Sequence, residues 1–214
     1  MTESRFIYIV FIKALTGLGK FSRMLNKYEY THIAVSLDES LEDFVTFSRK
    51  AHNAPFSAGF MHEKREHYAF GKHKSVKVKV YKLPVSPAKY AKIQEYIQEI
   101  EQDDEYIFNL YSMLTMSFLH GLPIYKTHNC MSFVSKIIKL SGVVRMNKPF
   151  YKYSIQDMDK LLSGFKAKEF QLKKKREDMV YMREIGILQN AKSFVRLNGK
   201  LIYRLLCKRD EPYE

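Results

Sequence analysis

The first half of the chain alternates short apolar runs with polar turns, a pattern that predicts strands. Residues 6–12 form a β-branched and aromatic run, which indicates a buried strand. Residues 31–37 alternate apolar and polar positions, and residues 44–48 predict the strand that returns beside them. In residues 76–80 valines alternate with lysines, which is typical of a strand with one face in water.

The remaining apolar residues of this part recur at helical spacing. The Ser86-Pro87 pair predicts a helix start, because the hydroxyl caps free amides and proline loses no hydrogen bond at the first helical position. Segments 106–119 and 130–141 predict two further helices, the second ended by Gly142, and a short helix is expected over 18–26. Strands and helices in this order predict an α+β fold.

The chain changes character after residue 150. Segment 166–209 contains thirteen Lys and Arg against four Asp and Glu, so +9 of the total net charge of +13 lies there. Its many aliphatic and aromatic residues predict one or two basic amphipathic helices. We therefore expect a core domain over 1–150 and a basic, mostly helical extension over 151–214.

Composition restricts the class of protein. A chain of 214 residues that is 46% hydrophobic buries a core without disulfides. Two cysteines, Cys130 and Cys207, are too few for a disulfide scaffold or a zinc ribbon and indicate a reducing compartment. No segment matches a signal peptide or a membrane span, so we expect a cytoplasmic protein, peripheral to a membrane if its basic segment binds there.

Motifs for metals and phosphates are incomplete. His62 and His67 lie five residues apart, whereas the zinc-protease helix requires a spacing of four. The fragment 17–20 (GLGK) lacks the remainder of a phosphate-binding loop. We expect neither a metal ion nor a cofactor.

Cys130 carries the strongest chemical signal. As the first residue of a predicted helix, it lies where the helix dipole and free amides stabilise a thiolate and an oxyanion. A nucleophilic cysteine needs a base, and His32, on a strand face shared with Ala34 and Ser36, fits best. A structural interpretation stays open, since buried free cysteines are common. Cys207, with no histidine nearby, is expected to be non-catalytic.

Several motifs in order resemble one family. Residues 31–38 and 129–134 are similar to the His and Cys motifs of circularly permuted NlpC-type papain-like hydrolases, the group of YiiX/YaeF-like proteins and lecithin:retinol-acyltransferase-like enzymes. His32 precedes Cys130 by 98 residues, the reverse of the ordinary papain-like order. Over roughly residues 5–150, uncharacterised bacterial members are similar in four further motifs: 30–32 (YTH), 47–50 (FSRK), 53–63 (NAPFSAGFMHE) and 106–109 (YIFN).

The resemblance implies a permuted papain-like core with an antiparallel sheet and packed helices. It implies a cysteine hydrolase or acyltransferase acting on an amide, a peptide or a lipid ester, with Cys130 as nucleophile and His32 as base. A third polar residue would orient the imidazole. The clearest relatives have His or Glu on the strand after the base, and this chain departs from them: Thr46 is the first candidate and Glu63 the second.

Three other residues are candidates for substrate binding. Tyr106 and Asn109 either line the cleft or serve as a core aromatic residue and a polar helix breaker. Arg49 either recognises a carboxylate or phosphate or forms a surface ion pair. The substrate itself is expected to be a small molecule, a peptide or a lipid.

A second hypothesis explains the charge instead. In it the core is catalytically degenerate, and segment 166–209 docks on an anionic membrane, since lysine clusters beside amphipathic helices suit anionic lipid. Nucleic acid is the weaker alternative, because no nucleic-acid-binding motif accompanies the charge.

Overall fold

The computed structural model describes residues 5–16, 23–24, 27–51, 54–70, 73–176, 184–208 and 213. Six strands form one antiparallel sheet in the spatial order 4-3-2-1-5-8, and the two remaining strands form a short parallel pair. Along the chain the strands are β1 (Arg5–Ile12), β2 (His32–Ser36), β3 (Asp43–Arg49), β4 (Ala58–Lys64), β5 (Ser75–Val85), β6 (Ile107–Phe108), β7 (Thr127–His128) and β8 (Ala167–Lys173).

The helices pack around this sheet. In chain order they are α1 (Arg65–Tyr68), α2 (Pro87–Gln102), α3 (Leu110–Leu119), α4 (Cys130–Ser141), α5 (Ile155–Leu161) and α6 (Ile187–Cys207), with a 3-10 turn at Phe150–Lys152. Within the described part of the chain, no helix has the length and apolar character needed to cross a bilayer. The α+β fold class predicted from the sequence is confirmed. The helix expected over 18–26 and the fragment 17–20 fall almost wholly outside the described residues.

Strand β1 lies inside the sheet and is covered on both faces. Ile7, Ile9 and Phe11 enter the larger hydrophobic cluster, whereas the alternating residues Val10 and Ile12 enter a second one. This explains why residues 6–12 are apolar throughout rather than alternating. The predicted pairing of residues 31–37 with 44–48 is confirmed as β2 against β3.

Helix α4 begins and ends where the sequence predicts. The Asn129 side chain accepts a hydrogen bond from the Ser132 amide, and Gly142 ends the helix with a left-handed φ of 66°. An apolar stripe that includes Phe133 and Ile137, both fully buried, packs on β2 and β3. The cap and the stripe together fix both the first residue of α4 and its distance from the sheet.

Segment 106–119 is only partly helical, in contrast to the prediction. Residues 107–108 form β6, which pairs in parallel with β7. The helix begins later because the Asn109 side chain accepts a hydrogen bond from the Ser112 amide at 2.8 Å.

The carboxyl-terminal segment is also less helical than expected. Helix α6 is present, but β8 extends the main sheet beyond β5. Only Leu172 of β8 is buried, so the strand has no alternating signal in the sequence. The Arg204 guanidinium donates to the carbonyls of Tyr125 and Glu105, which ties α6 to the loops around β6. The described parts of 151–214 therefore share a sheet and a core with the preceding part of the chain.

Candidate active site

Three polar residues from distant parts of the chain surround the start of α4. Cys130 is the first residue of α4, His32 the first of β2, and Glu63 the penultimate residue of β4. Strands β2 and β4 flank β3, and α4 packs against β2 and β3. The antiparallel sheet thus brings a histidine, a carboxylate and a thiol to one place.

His32 and Glu63 form a buried ion pair. The distance between His32 Nε2 and Glu63 Oε2 is 3.0 Å, and the Glu63 side chain is only 3% exposed. The Tyr68 hydroxyl donates to the same carboxylate oxygen at 2.7 Å, and Ser48 is a further hydrogen-bond donor to Glu63. These donors offset the cost of removing a carboxylate from water.

The ion pair shifts both pKa values toward the charged forms. Burial by itself would lower the pKa of His32, but the charge of Glu63 and hydrogen bonds to Cys130 and Glu63 raise it to about 10. Burial would likewise raise the pKa of Glu63, but the charge of His32 and its hydrogen-bond donors lower it. At neutral pH His32 is therefore an imidazolium and Glu63 a carboxylate.

Cys130 is the second residue whose side chain interacts with the His32 ring. It is 8% exposed and interacts with His32 through a side-chain hydrogen bond and through charge. Because Glu63 occupies Nε2, Nδ1 is the ring nitrogen that remains for the thiol. The sulfur thus lies beside an imidazolium and at the amino-terminal end of α4, where the helix dipole is positive.

The cap of α4 prepares the backbone around Cys130. Asn129 and Ser132 form a reciprocal capping box, with hydrogen bonds of 2.9 and 3.1 Å. The amides of Cys130 and Met131, at the first two helical positions, have no intrahelical acceptor. Free amides at this position suit a developing oxyanion.

A second histidine near α4 has a different environment. His128 is fully buried, with Nε2 2.9 Å from the Tyr96 hydroxyl and Nδ1 3.1 Å from Ser132 Oγ. The Tyr106 ring stacks on it at 5.9 Å between centroids. Burial, with the nearby charge of Lys136, lowers the pKa of His128 to about 3. His128 is therefore a neutral, buried imidazole.

Of the two candidates to orient His32, the structure brings only Glu63 into contact with it. The Thr46 hydroxyl is fully buried and donates to the Ile33 carbonyl at 2.9 Å. Thr46 thus supports the pairing of β2 and β3 and does not bond the imidazole. The preference for Thr46 over Glu63 requires correction, because the side chain from β4 reaches past β3 to the ring.

The three residues that the sequence suggests for substrate binding are buried or half-buried and contact other residues of the protein. Asn109 is fully buried, and its amide nitrogen donates to the Leu122 carbonyl and to Thr127 Oγ1 while its oxygen caps α3. Tyr106 is buried against His128. Arg49, the last residue of β3, is half-buried and engaged with other residues. For Asn109 the structural interpretation is the one that the contacts support.

Tyr68 and Ser48 were not among the candidates from the sequence. Tyr68 follows Glu63 by five residues across the short helix α1, and Ser48 lies on β3. Tyrosine and serine are frequent residues, and neither position belongs to a local motif that marks a carboxylate partner. Only the folded arrangement brings both hydroxyls to Glu63.

The other thiol and the histidine pair of β4 and α1 make contacts of a different kind. Cys207 is exposed near the end of α6. His62 contacts the carboxylates of Asp43 and Glu101, whereas His67 Nδ1 accepts from the Lys64 amide. Among the described residues, no three His, Cys, Asp or Glu side chains are grouped as metal ligands would be.

Comparison of the chain with protein-family models, with curated proteins and with solved structures finds no match. The functional argument therefore depends on the chemistry of these residues.

Proposed function

We propose that this protein is a cysteine-dependent hydrolase or acyltransferase with a permuted papain-like core. Cys130 is the nucleophile, Glu63 is the residue that orients His32, and His32 is the proton donor in the first half of the reaction and the base in the second. One observation carries the proposal: His32 lies between a buried carboxylate and a thiol at the first position of a helix.

In the first half of the reaction the Cys130 thiolate attacks the carbonyl carbon of an amide or ester. A carbon–sulfur bond forms, and the free amides at the start of α4 stabilise the negative charge on the carbonyl oxygen. The carbon–nitrogen or carbon–oxygen bond then breaks, and the His32 imidazolium gives its proton to the leaving group. The product is a thioester on Cys130 with His32 neutral.

In the second half His32 acts as a base. It removes a proton from water, or from an acceptor alcohol or amine, which attacks the thioester carbonyl and releases the thiolate. Water gives hydrolysis, and another nucleophile gives acyl transfer. Glu63 holds Nε2 throughout, so Nδ1 stays directed at the sulfur and the imidazolium remains stabilised.

The order of the elements along the chain supports this proposal. The permuted order requires a histidine on an early strand of an antiparallel sheet and a later helix whose first residue is cysteine. Here His32 opens β2 and Cys130 opens α4. The oriented ion pair favours a working enzyme over a degenerate binding module.

The test is acylation by p-nitrophenyl acetate followed by mass spectrometry of the intact protein and its peptides. We expect a burst of nitrophenol and an acetyl group on Cys130 rather than on Cys207, although Cys207 is the more exposed thiol. Cys130→Ala should remove both signals, and Cys207→Ala should keep them. Equal modification of the two thiols, or modification of Cys207 alone, would refute the proposal.

A further inference from the structure

Exposed hydrophobic side chains are concentrated on two neighbouring helices. Among the described residues, ten of the thirteen exposed large hydrophobic residues belong to α3 or α6. The two helices touch through a hydrogen bond of 2.9 Å from the Tyr111 hydroxyl to Asn198 Oδ1. Such a concentration is unusual for a surface that only faces water.

On α6 the exposed residues form a stripe along one side of the helix. Leu188, Val195, Ile202 and Leu206 are seven, seven and four residues apart, so they project in nearly the same direction. Leu188, Val195 and Leu206 are 81%, 69% and 77% exposed. The opposite side of α6 is the buried one, with Leu197, Leu201 and Arg204. The helix thus has two apolar sides, of which only one contacts the core.

Helix α3 extends this stripe on one flank. Leu114 and Phe118 lie three and seven residues after Tyr111, hence on the same side of α3 as the contact with α6. Phe118 is 67% exposed. The apolar surface therefore spans both helices around the Tyr111–Asn198 hydrogen bond.

Basic residues line the other flank of the stripe. Lys192, Arg196 and Lys200 follow one another at intervals of four residues along α6. Neither α3 nor α6 contains an Asp or Glu that would neutralise them. Arg204 is occupied by backbone carbonyls, so these three lysine and arginine side chains carry the available charge.

We propose that the apolar stripe of α6, together with Leu114 and Phe118 of α3, docks on an anionic lipid surface. The apolar side chains enter the boundary between headgroups and acyl chains, while Lys192, Arg196 and Lys200 pair with lipid phosphates. A continuous apolar stripe beside three basic residues, on helices that contain no Asp or Glu, is complementary to that interface. The proposal is independent of the chemistry at Cys130.

The test is co-sedimentation of the full-length protein with phosphatidylcholine vesicles that contain or lack phosphatidylglycerol. We expect binding only to the anionic vesicles, weakened by added salt. Lys192→Gln combined with Arg196→Gln should lower the partition coefficient about thirtyfold. Leu188→Ser combined with Leu206→Ser should lower it at least about tenfold, because both side chains contribute apolar area at the interface.

A matched control removes the same charge elsewhere. Lys89 and Lys92 are exposed on α2, and Lys89→Gln combined with Lys92→Gln should bind as the wild type does. Cys130→Ala should also bind normally, which separates this proposal from the enzymatic one. Circular dichroism verifies that each variant is folded.

Three results would overturn the proposal. The first is that the protein does not bind anionic vesicles, or that Leu188→Ser combined with Leu206→Ser binds them as well as the wild type does. The second is a dimer in sedimentation velocity that Leu188→Ser with Leu206→Ser dissolves, which would make the stripe an interface between two copies. The third is binding of single-stranded RNA that is lost in Lys192→Gln with Arg196→Gln but kept in Leu188→Ser with Leu206→Ser.

Discussion

The surroundings of His32 and of His128 differ in one decisive group. Both imidazoles lie beside the start of α4, with His128 fully buried and the His32 side chain 15% exposed, and both use Nε2 in a hydrogen bond to an oxygen. For His32 that oxygen belongs to the Glu63 carboxylate, and for His128 it belongs to the Tyr96 hydroxyl. The pKa of His32 is raised to about 10, whereas that of His128 is lowered to about 3.

The difference shows that burial alone does not determine the charge of a histidine. Burial opposes the imidazolium in both places, and at His32 the charge of Glu63, together with hydrogen bonds to Cys130 and Glu63, reverses the outcome. Aromatic rings and hydroxyls around His128 supply packing and hydrogen bonds but no countercharge. One site is therefore suited to proton transfer, and the other stabilises the first turn of α4 through Ser132.

The largest expected effect comes from replacing each histidine in turn by glutamine. His32→Gln should slow acylation of Cys130 by p-nitrophenyl acetate about 10²–10⁴-fold, because it removes the proton donor and the positive charge beside the sulfur. His128→Gln should leave the rate near that of the wild type. Rates are measured by nitrophenol release under single-turnover conditions. If the two variants slow the reaction equally, the functional distinction between the histidines is lost.

A smaller effect is expected on stability when His128 becomes leucine. His128→Leu keeps the apolar contacts but removes the hydrogen bonds that the ring makes with the Tyr96 hydroxyl and Ser132 Oγ, at about 1–3 kcal/mol in total. Urea unfolding measures the loss.

The lowered pKa of His128 also predicts how the free energy of unfolding changes with pH. Since the folded pKa of His128 lies below its usual 6.5, its contribution is complete above pH 6.5 and lost as the pH falls toward about 3. The free energy of unfolding of His128→Leu should therefore decrease less than that of the wild type on acidification. If the free energy of unfolding falls equally in the wild type and in His128→Leu as the pH is lowered, the neutral, buried state of His128 is contradicted.

A change in stability of similar size is expected from Glu63→Gln, at about 1.5–3 kcal/mol for a hydrogen bond to a charged group. Its spectroscopic effect is distinctive. Without the carboxylate, burial dominates and the pKa of His32 falls well below the wild-type value of about 10. The pKa of His32 is measured in both proteins by NMR titration of its ring resonances.

The stability difference between wild type and Glu63→Gln depends on pH in a defined window. His32 contributes fully below its usual pKa of 6.5 and loses the contribution as the pH rises through about 10, and Glu63 contributes above its usual pKa of 4.5. The difference is thus largest between about pH 4.5 and 6.5 and closes toward pH 10.

Thr46→Val is the matched control for the titration of His32: it removes a buried hydroxyl and should leave the pKa of His32 unchanged. If Thr46→Val shifts it and Glu63→Gln does not, our assignment of the orienting residue is wrong.

Elements with local signals were predictable from the sequence. The start of α4 depends on Asn129, Cys130 and Ser132, which are close neighbours, and its end depends on Gly142. The Ser86-Pro87 start of α2 and the pairing of β2 with β3 likewise depend on short stretches of chain. In these cases propensity, capping and alternation act within a few residues, so tertiary contacts were not needed to recognise them.

Strand β8 was not predictable, because only one of its seven side chains is buried. It is held by backbone pairing with β5, from Ser75 opposite Lys173 to Tyr81 opposite Ala167. Backbone hydrogen bonds leave no trace in side-chain patterning. Similarly, the sequence indicated that α6 is amphipathic, but only the packing of Leu197 and Leu201 determined which side faces the core.

The sequence by itself determined that Cys130 begins a helix, that His32 lies on an early strand, and that basic residues gather near the carboxyl terminus. The tertiary structure alone decided that Glu63 rather than Thr46 meets the imidazole, that His128 is buried among aromatic rings, and that an apolar side of α6 faces solvent. The physical reason is the range of the interactions. Caps and strand alternation are read between near neighbours, whereas contact across a third strand depends on the twist and stagger of the whole sheet.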